Sequence, residues 1–342
     1  MSQLYYSRFI ILTNLIISFI FFVFLTHYLP TNSINNFCVH LRNALLSKHT
    51  NDINQFNLPP KLLVKEGFAV DSPTVRSKYH STIKKQIRAF QKIDFKGAHT
   101  EDQVKDIVLS FSKNGGPGCG DFQNIVHKIE SLSAKSGQGC CSDHSEVFIA
   151  LATINGIETR EVHNSRHTFN EYYNEELGKW IWVDPQYAIM ARDQHGELLS
   201  LSQIRQMYFF EKKVLYDFFG NQYHEFSTSS PYEHEYYDNS DDFSFMMLTL
   251  GNNVFEYDLL TEQYSFLPKI VRQSIFMVIG LQPSYLIYSD TNTTWSFKFE
   301  QVKMATFTYI FVFFTLNVIL AIHSTRRKYS IECDVDKNYS KY

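Results

Sequence analysis

The sequence predicts an α+β protein in which a cysteine-bearing helix packs on an antiparallel sheet, with an apolar helix flanking this core at each end of the chain. Three observations predict it. Apolar residues recur at helical spacing in stretches between Thr74 and Ile154, short aromatic and β-branched runs alternate with turn residues from Ile157 to Phe299, and a charge-free apolar run lies near each terminus. The 342 residues are 44% hydrophobic and 20% charged, with a net charge of −3. That is ample apolar material for a core, so collagen, a low-complexity linker and a disordered tail are excluded. The near-neutral balance leaves no electrostatic footprint of a nucleic-acid partner, and none is expected. A mean hydropathy of −0.22 excludes a many-span transporter.

The first apolar run, Phe9 to Leu25, is interrupted only by Thr13, Asn14 and Ser18. It covers roughly 25 Å as a helix, slightly short of a bilayer core of about 30 Å. Tyr5, Tyr6, His27 and Tyr28 can make up the deficit at headgroup level. A cleaved signal peptide would need small residues at its exit, whereas the run leaves through Thr26-His27-Tyr28-Leu29-Pro30, so an uncleaved anchor is expected. The second run, Met304 to Ile322, is followed by Arg326, Arg327 and Lys328. The positive-inside rule places that end in the cytoplasm, and two spans return the N-terminus to the same side, in agreement with Arg8. Leu29 to Lys303 is then expected outside the cytoplasm.

Asn51 to Pro60 is polar with a double proline and reads as a linker. Helical spacing follows over Thr74 to Phe95, Asp102 to Lys113 and Phe122 to Lys135, broken by Asn114-Gly115-Gly116-Pro117-Gly118 and then by Ser136-Gly137-Gln138-Gly139. A short helix is expected through Leu201 to Tyr208. Tyr232 to Asp242 is polar, acidic and tyrosine-rich and reads as a boundary, and within it Asp238 to Asp242 reads as a solvated loop rather than a calcium site. Beyond it Phe243 to Glu256, Ser274 to Ile279, Tyr285 to Tyr288 and Trp295 to Phe299 read as strands of a small β module.

Chemistry concentrates between Gly137 and Pro185. From Cys141 onward Val147, Ala150, Leu151 and Ile154 keep helical spacing, and Gly156 stands where a helix commonly ends. A thiol in that first turn meets unpaired N–H groups and the positive end of the helix dipole, which favour the thiolate. Alone this says little, because cysteine is often a small buried hydrophobe. Ile157 to Val162, Thr168 to Tyr173 and Lys179 to Val183 then read as strands, the second preceded by His167 and the third ending at Asp184-Pro185. A helix-borne Cys141 beside strands carrying His167 and Asp184 can assemble a triad in which the imidazole takes the thiol proton and the carboxylate fixes its tautomer.

The pattern Gly139-x-Cys141-x-Asp143, a helix, Gly156-Ile157-x-x-Arg160, His167-x-x-x-Glu171 and Trp182-x-Asp184-Pro185 resembles the transglutaminase-like cysteine enzymes. The resemblance implies a papain/transglutaminase-like core, with Cys141 as nucleophile, His167 as general base and Asp184 as its orienting partner. It extends at most over Lys61 to Phe226. Cys141 fits rather than Cys140, because it stands two residues after Gly139 and two before Asp143. Phe169 stands where the family often has a tryptophan, and the short Cys-to-His interval leaves little room for a substrate-binding insertion. For the oxyanion the Cys141 N–H is the physical default, with the Gln138 side chain as a further candidate donor. No metal and no organic cofactor is expected.

Other readings compete for these residues. His163, His167 and Glu171 stand four apart and would line one helix face as zinc ligands, but strands would separate such positions by roughly 13 Å. His144 is expected to cap or pack near the helix start. Of the five cysteines, Cys333 falls on the cytoplasmic side, and Cys38, Cys119, Cys140 and Cys141 in an oxidising compartment. Adjacent Cys140 and Cys141 are poorly placed for a bridge to each other, and either can pair with Cys119.

The expected organisation is therefore an anchor at 1–28, a linker at 29–60, a transglutaminase-like domain at 61–230, a β-rich module at 231–303, a second span at 304–323 and a cytoplasmic tail at 324–342. The expected function is cleavage or transfer at an amide bond of a protein or peptide substrate, in a bacterial inner membrane with the central domain in the periplasm. The other expectation is a catalytically silent binding or scaffolding module in envelope or surface-polymer assembly.

Overall fold

The spacing of apolar residues accounts for most of the helices. The structure, a computed structural model, describes residues 3–29, 34–86, 99–112, 119–120, 122–134, 139–164, 166–210, 212–220, 237, 243, 245–288 and 294–339. The helices in order are α1 (Gln3–Tyr28), α2 (Ile34–Leu46), α3 (Pro60–Lys65), α4 (Pro73–Gln86), α5 (Thr100–Phe111), α6 (Ile125–Ser133), α7 (Cys141–Ile154), α8 (Leu201–Phe209), α9 (Val254–Gln263), α10 (Lys269–Val278) and α11 (Thr294–Tyr339). The strands are β1 (Ser47–Thr50), β2 (Thr159–His163), β3 (Thr168–Asn174), β4 (Lys179–Asp184), β5 (Ile189–Arg192), β6 (Leu215–Phe218), β7 (Met246–Leu250) and β8 (Ser284–Tyr288), and a 3-10 turn covers Ile53–Asn57. The chain divides into two compact units, Met1–Ser47 with Thr294–Tyr342, and Lys48–Thr293.

In the first unit α1 and α11 run antiparallel. Asn14 donates to Asn317 at 3.5 Å, Ser18 and Tyr309 share a hydrogen bond at 2.9 Å, and the rings of Phe21 and Tyr309 stack at 4.3 Å. Asn14 and Ser18 of the first run thus meet Asn317 and Tyr309 of the second, while Phe9, Leu15, Phe19, Phe311 and Phe314 are exposed. Phe9–Tyr28 and Phe297–His323 are long and apolar enough to cross a membrane, and they are compatible with membrane association.

The second unit is built on an eight-stranded sheet in the order β1-β8-β7-β2-β3-β4-β5-β6. The β2–β3, β3–β4, β4–β5, β5–β6, β2–β7 and β7–β8 pairs are antiparallel. Side chains alternate across each strand. On one face Tyr172, Ile181, Val183 and Met190 join Val147, Phe148 and Leu151 of α7, with α5 and α6 behind. On the other face Phe169, Trp180, Trp182 and Ile189 pack with Phe56, Leu201 and Ile204. Helix α7 is apolar nearly all round because it is enclosed, with Val147, Phe148, Ala150 and Ala152 fully buried. Gly156 stops it at φ +76°, a conformation that costs glycine little.

Several expectations change. The run Asn51 to Pro60 is no free tether: Phe56 is buried, its carbonyl accepts from Arg160, and the Leu58 carbonyl accepts from Trp180 at 2.7 Å. Ser274 to Ile279 falls within α10 and its cap instead of forming a strand; Phe276 is buried, while the β-branched Val278 and Ile279 are exposed. Trp295 to Phe299 opens α11, whose spacing buries Phe299, Val302 and Thr306 on one side. Phe243 to Glu256 holds β7 but ends in α9. Strands β7 and β8 complete the main sheet through the β2–β7 pairing, so the segment expected as a separate β module supplies part of the same fold. The expected helix from Thr74 runs to Gln86, and its remainder lies outside the described residues, as does Gln138.

Candidate active site

The first turn of α7 is held from several directions. Asp143 accepts from the Cys140 N–H at 3.0 Å and from the Gly120 N–H at 3.2 Å, and pairs with Lys128 at 3.0 Å. Cys119 and Cys140 form a disulfide. This settles the pairing the sequence left open, and Cys141 is a free cysteine. His144 is buried behind it, with Nδ1 3.0 Å from the Cys140 carbonyl.

Across from this turn, β2 and β3 are joined by a short loop in which the Asn164 side chain accepts from the Arg166 and His167 N–H groups at 2.9 and 2.7 Å. That turn sets His167 at the head of β3. Its Nε2 lies 2.9 Å from Asp184 Oδ2 at the end of β4, and both side chains are almost completely buried. The Cys141 thiol hydrogen-bonds to the His167 imidazole and to the N–H and hydroxyl of Thr168. Since Nε2 is taken by the carboxylate, Nδ1 is the nitrogen left for sulfur. The three residues picked from the sequence, Cys141, His167 and Asp184, therefore meet in one chain of contacts.

The electrostatics follow from those contacts. Burial pushes the Cys141 thiol up, but the hydrogen bond and charge of His167, with the two Thr168 donors, outweigh it and hold the thiol below its ordinary value. Burial lowers His167, yet the charge and hydrogen bond of Asp184, helped by Cys141, raise it to about 9. Asp184 is pushed up by burial and brought down further by His167, Tyr237 and the Gln186 N–H, so it stays ionised. The arrangement favours a thiolate beside an imidazolium.

Two residues at the site escaped the sequence reading. Tyr237 comes from the stretch expected to be a boundary, and it is buried and donates to Asp184 Oδ2 at 2.5 Å. It packs among Tyr187, Trp182 and Tyr216, all distant along the chain, so no local signal marked it. Thr168 was read simply as part of a strand. The zinc arrangement does not form: His163 turns to the α7 face of the sheet with Glu161 and Thr168, whereas Glu171 lies on the other face, where Arg160 and the Leu201 N–H take its oxygens.

A half-buried cysteine at a helix start, facing a histidine–aspartate pair on an antiparallel sheet, defines the class: a mixed α+β domain. Residues 126–185, from α6 to the end of β4, match the family model of the transglutaminase-like superfamily, and this segment of the chain is transglutaminase-like. No curated protein and no solved structure matches the chain.

Proposed function

We propose that the chain is a membrane-anchored cysteine enzyme acting on amide bonds of a protein or peptide substrate. The observation that supports this most is the continuous contact from the Cys141 sulfur through the His167 ring to the Asp184 carboxylate. In this reading the thiolate attacks the amide carbonyl carbon, a C–S bond forms and the electron pair moves onto oxygen. The Cys141 N–H lies in a first turn that lacks intrahelical acceptors, so it can donate to that oxyanion. As the pair returns, the C–N bond breaks and the amine or ammonia leaves with the proton from His167. Water or a primary amine then attacks the thioester, gives its proton to His167 and releases the thiolate. Water gives an amidase or peptidase and an amine gives a cross-linker. Asp184 keeps Nε2 protonated and the ring aimed at sulfur. Arg326, Arg327 and Lys328 would hold the C-terminal end in the cytoplasm of an inner membrane, with the central unit on the periplasmic side.

The test is intact-protein mass spectrometry of the full chain in detergent, incubated with glutamine-containing peptides with and without a dansylated alkylamine. The expected result is an acyl adduct at Cys141, or amine incorporation, that is absent in Cys141→Ala. No adduct, together with equally slow iodoacetamide labelling of Cys141 in wild type and His167→Ala, would leave the scaffolding reading standing.

A further inference from the structure

A second imidazole–carboxylate pair lies beside the first. His163 Nε2 is 3.0 Å from Glu161 Oε1 and 3.1 Å from the Thr249 hydroxyl. Thr249 donates to Glu161 Oε1 at 2.9 Å, Ser145 of α7 donates to Oε2 at 2.8 Å, and Asn170 donates to Ser145 at 3.0 Å. Burial pushes the Glu161 carboxyl up, but His163, Ser145 and Thr249 together hold it down at about 2. On its other side His163 Nδ1 is 3.1 Å from the Thr168 hydroxyl, and Thr168 in turn hydrogen-bonds to Cys141. The network spans β2, β3, β7 and α7, which is more than burying one acid requires.

We infer that Glu161, His163 and Thr168 form a second arm on the nucleophile, in which the protonation of His163 decides whether the Thr168 hydroxyl donates to the Cys141 sulfur. The inference deepens the proposed function and rests on Cys141 being the nucleophile. An ionised Glu161 can only accept, so Nε2 of His163 carries a hydrogen. With Nδ1 bare, the Thr168 O–H points at His163, and sulfur meets an oxygen lone pair, which suits a protonated thiol. With Nδ1 protonated, His163 donates to the Thr168 oxygen, the hydroxyl hydrogen turns to sulfur and the thiolate gains a donor. No covalent bond is made or broken at Thr168; its hydroxyl rotates. The His163 proton comes from solvent, which reaches its side chain at 15% exposure, and the Cys141 proton goes to His167.

The groups facing His163 among the described residues are Glu161 from its own strand, Thr168 from β3, and through it Cys141 of α7, and Thr249 from β7. His167, paired with Asp184, acts on the sulfur directly. The two arms therefore differ in role. His167 exchanges the reacting proton, whereas Glu161, His163 and Thr168 are positioning residues that tune the sulfur.

The test is the rate of iodoacetamide alkylation against pH, read peptide by peptide at Cys141 in the full-length protein. Thr168→Val is expected to move the rising limb of that profile upward by about one pH unit, the effect of one hydrogen bond to a charged atom. His163→Gln is expected to move it in the same direction, and Thr168→Ser to restore the wild-type limb. Unchanged limbs in Thr168→Val and His163→Gln, with an activated wild type, overturn the second arm and leave the nucleophile reading intact. A wild-type Cys141 that alkylates like a free thiol, unaltered by His167→Ala, overturns both. Should Thr168→Val fail to fold, His163→Gln carries the same decision, since it leaves the strand residue beside sulfur in place.

Discussion

Arg160–Glu171 and His167–Asp184 are both buried acid–base pairs on neighbouring strands of one sheet, and they are built for opposite ends. Glu171 accepts from Arg160 at 2.7 Å and from the Leu201 N–H at 2.7 Å, and the guanidinium lies 4.0 Å from the Trp180 ring centroid. Arginine does not give up its proton, so that pair can only hold the strands to the segments covering them. His167–Asp184 has one transferable proton and a nitrogen facing sulfur. Burial and pairing alone do not mark a reactive site. In the proposed reading a proton acceptor in reach of a nucleophile does, and this difference makes the two pairs separable by mutation.

The largest expected effect is on chemistry. His167→Ala removes the proton acceptor, and Cys141 acylation is expected to fall by about 10²–10⁴-fold, the range for a general base. Stopped-flow alkylation at neutral pH reads this, and circular dichroism is expected to show a folded protein. A variant that loses both together would erase the contrast with Arg160–Glu171.

Glu171→Ala should do the reverse. It leaves the Arg160 charge buried without its partner, which costs about 3–5 kcal/mol of unfolding free energy. Urea titration is expected to show that loss, while the folded fraction alkylates at Cys141 at the wild-type rate. A drop in rate at full folding would mean that the pair also holds the site.

The pH response separates the pairs without mutation. His167 is raised from 6.5 to about 9, so the stability it contributes is complete below pH 6.5 and lost as pH rises through about 9. Asp184 is lowered from 3.8, so its contribution is present above that value and lost as pH falls through its lower folded value. Arg160–Glu171 should add no alkaline step. A melting temperature that falls between pH 7 and 10 in wild type, and stays flatter in His167→Gln, is the expected pattern.

What could be read from the sequence follows the range of the contacts. The order Cys141, His167, Asp184 was legible because each sits at an element boundary with a local signature: the break at Gly139, the turn before Thr168, and Asp184-Pro185 after a tryptophan-rich strand. Helix α7 and strands β2 to β4 were legible for the same reason. Thr249 and Tyr237 were not, because a residue meeting its partner across 88 or 53 positions of chain leaves no spacing to detect. Strand β7 was expected in a separate module because its own pattern holds no trace of β2, on which it pairs. Cys140 was a coin toss against Cys141 for Cys119, decided by three-dimensional approach.

The smallest expected effect tests whether Tyr237 belongs with the reactive pair or only with the packing around it. Tyr237 donates to Asp184 Oδ2, the oxygen that also faces His167 Nε2. Tyr237→Phe keeps the ring among Trp182, Tyr187 and Tyr216, while Asp184 Oδ1 still accepts from the Gln186 N–H at 2.8 Å. The loss of one hydrogen bond should lower the unfolding free energy by about 1 kcal/mol. The electrostatic consequence has a definite sign. Without the phenol to share the negative charge on Oδ2, the carboxylate acts more strongly on the imidazolium, so His167 should hold its proton to higher pH. The alkaline limb of the Cys141 acylation profile is then expected to move upward, even as the protein becomes slightly less stable. A downward move would mean that the hydroxyl serves to aim the carboxylate, and that its loss lets Asp184 turn from the ring.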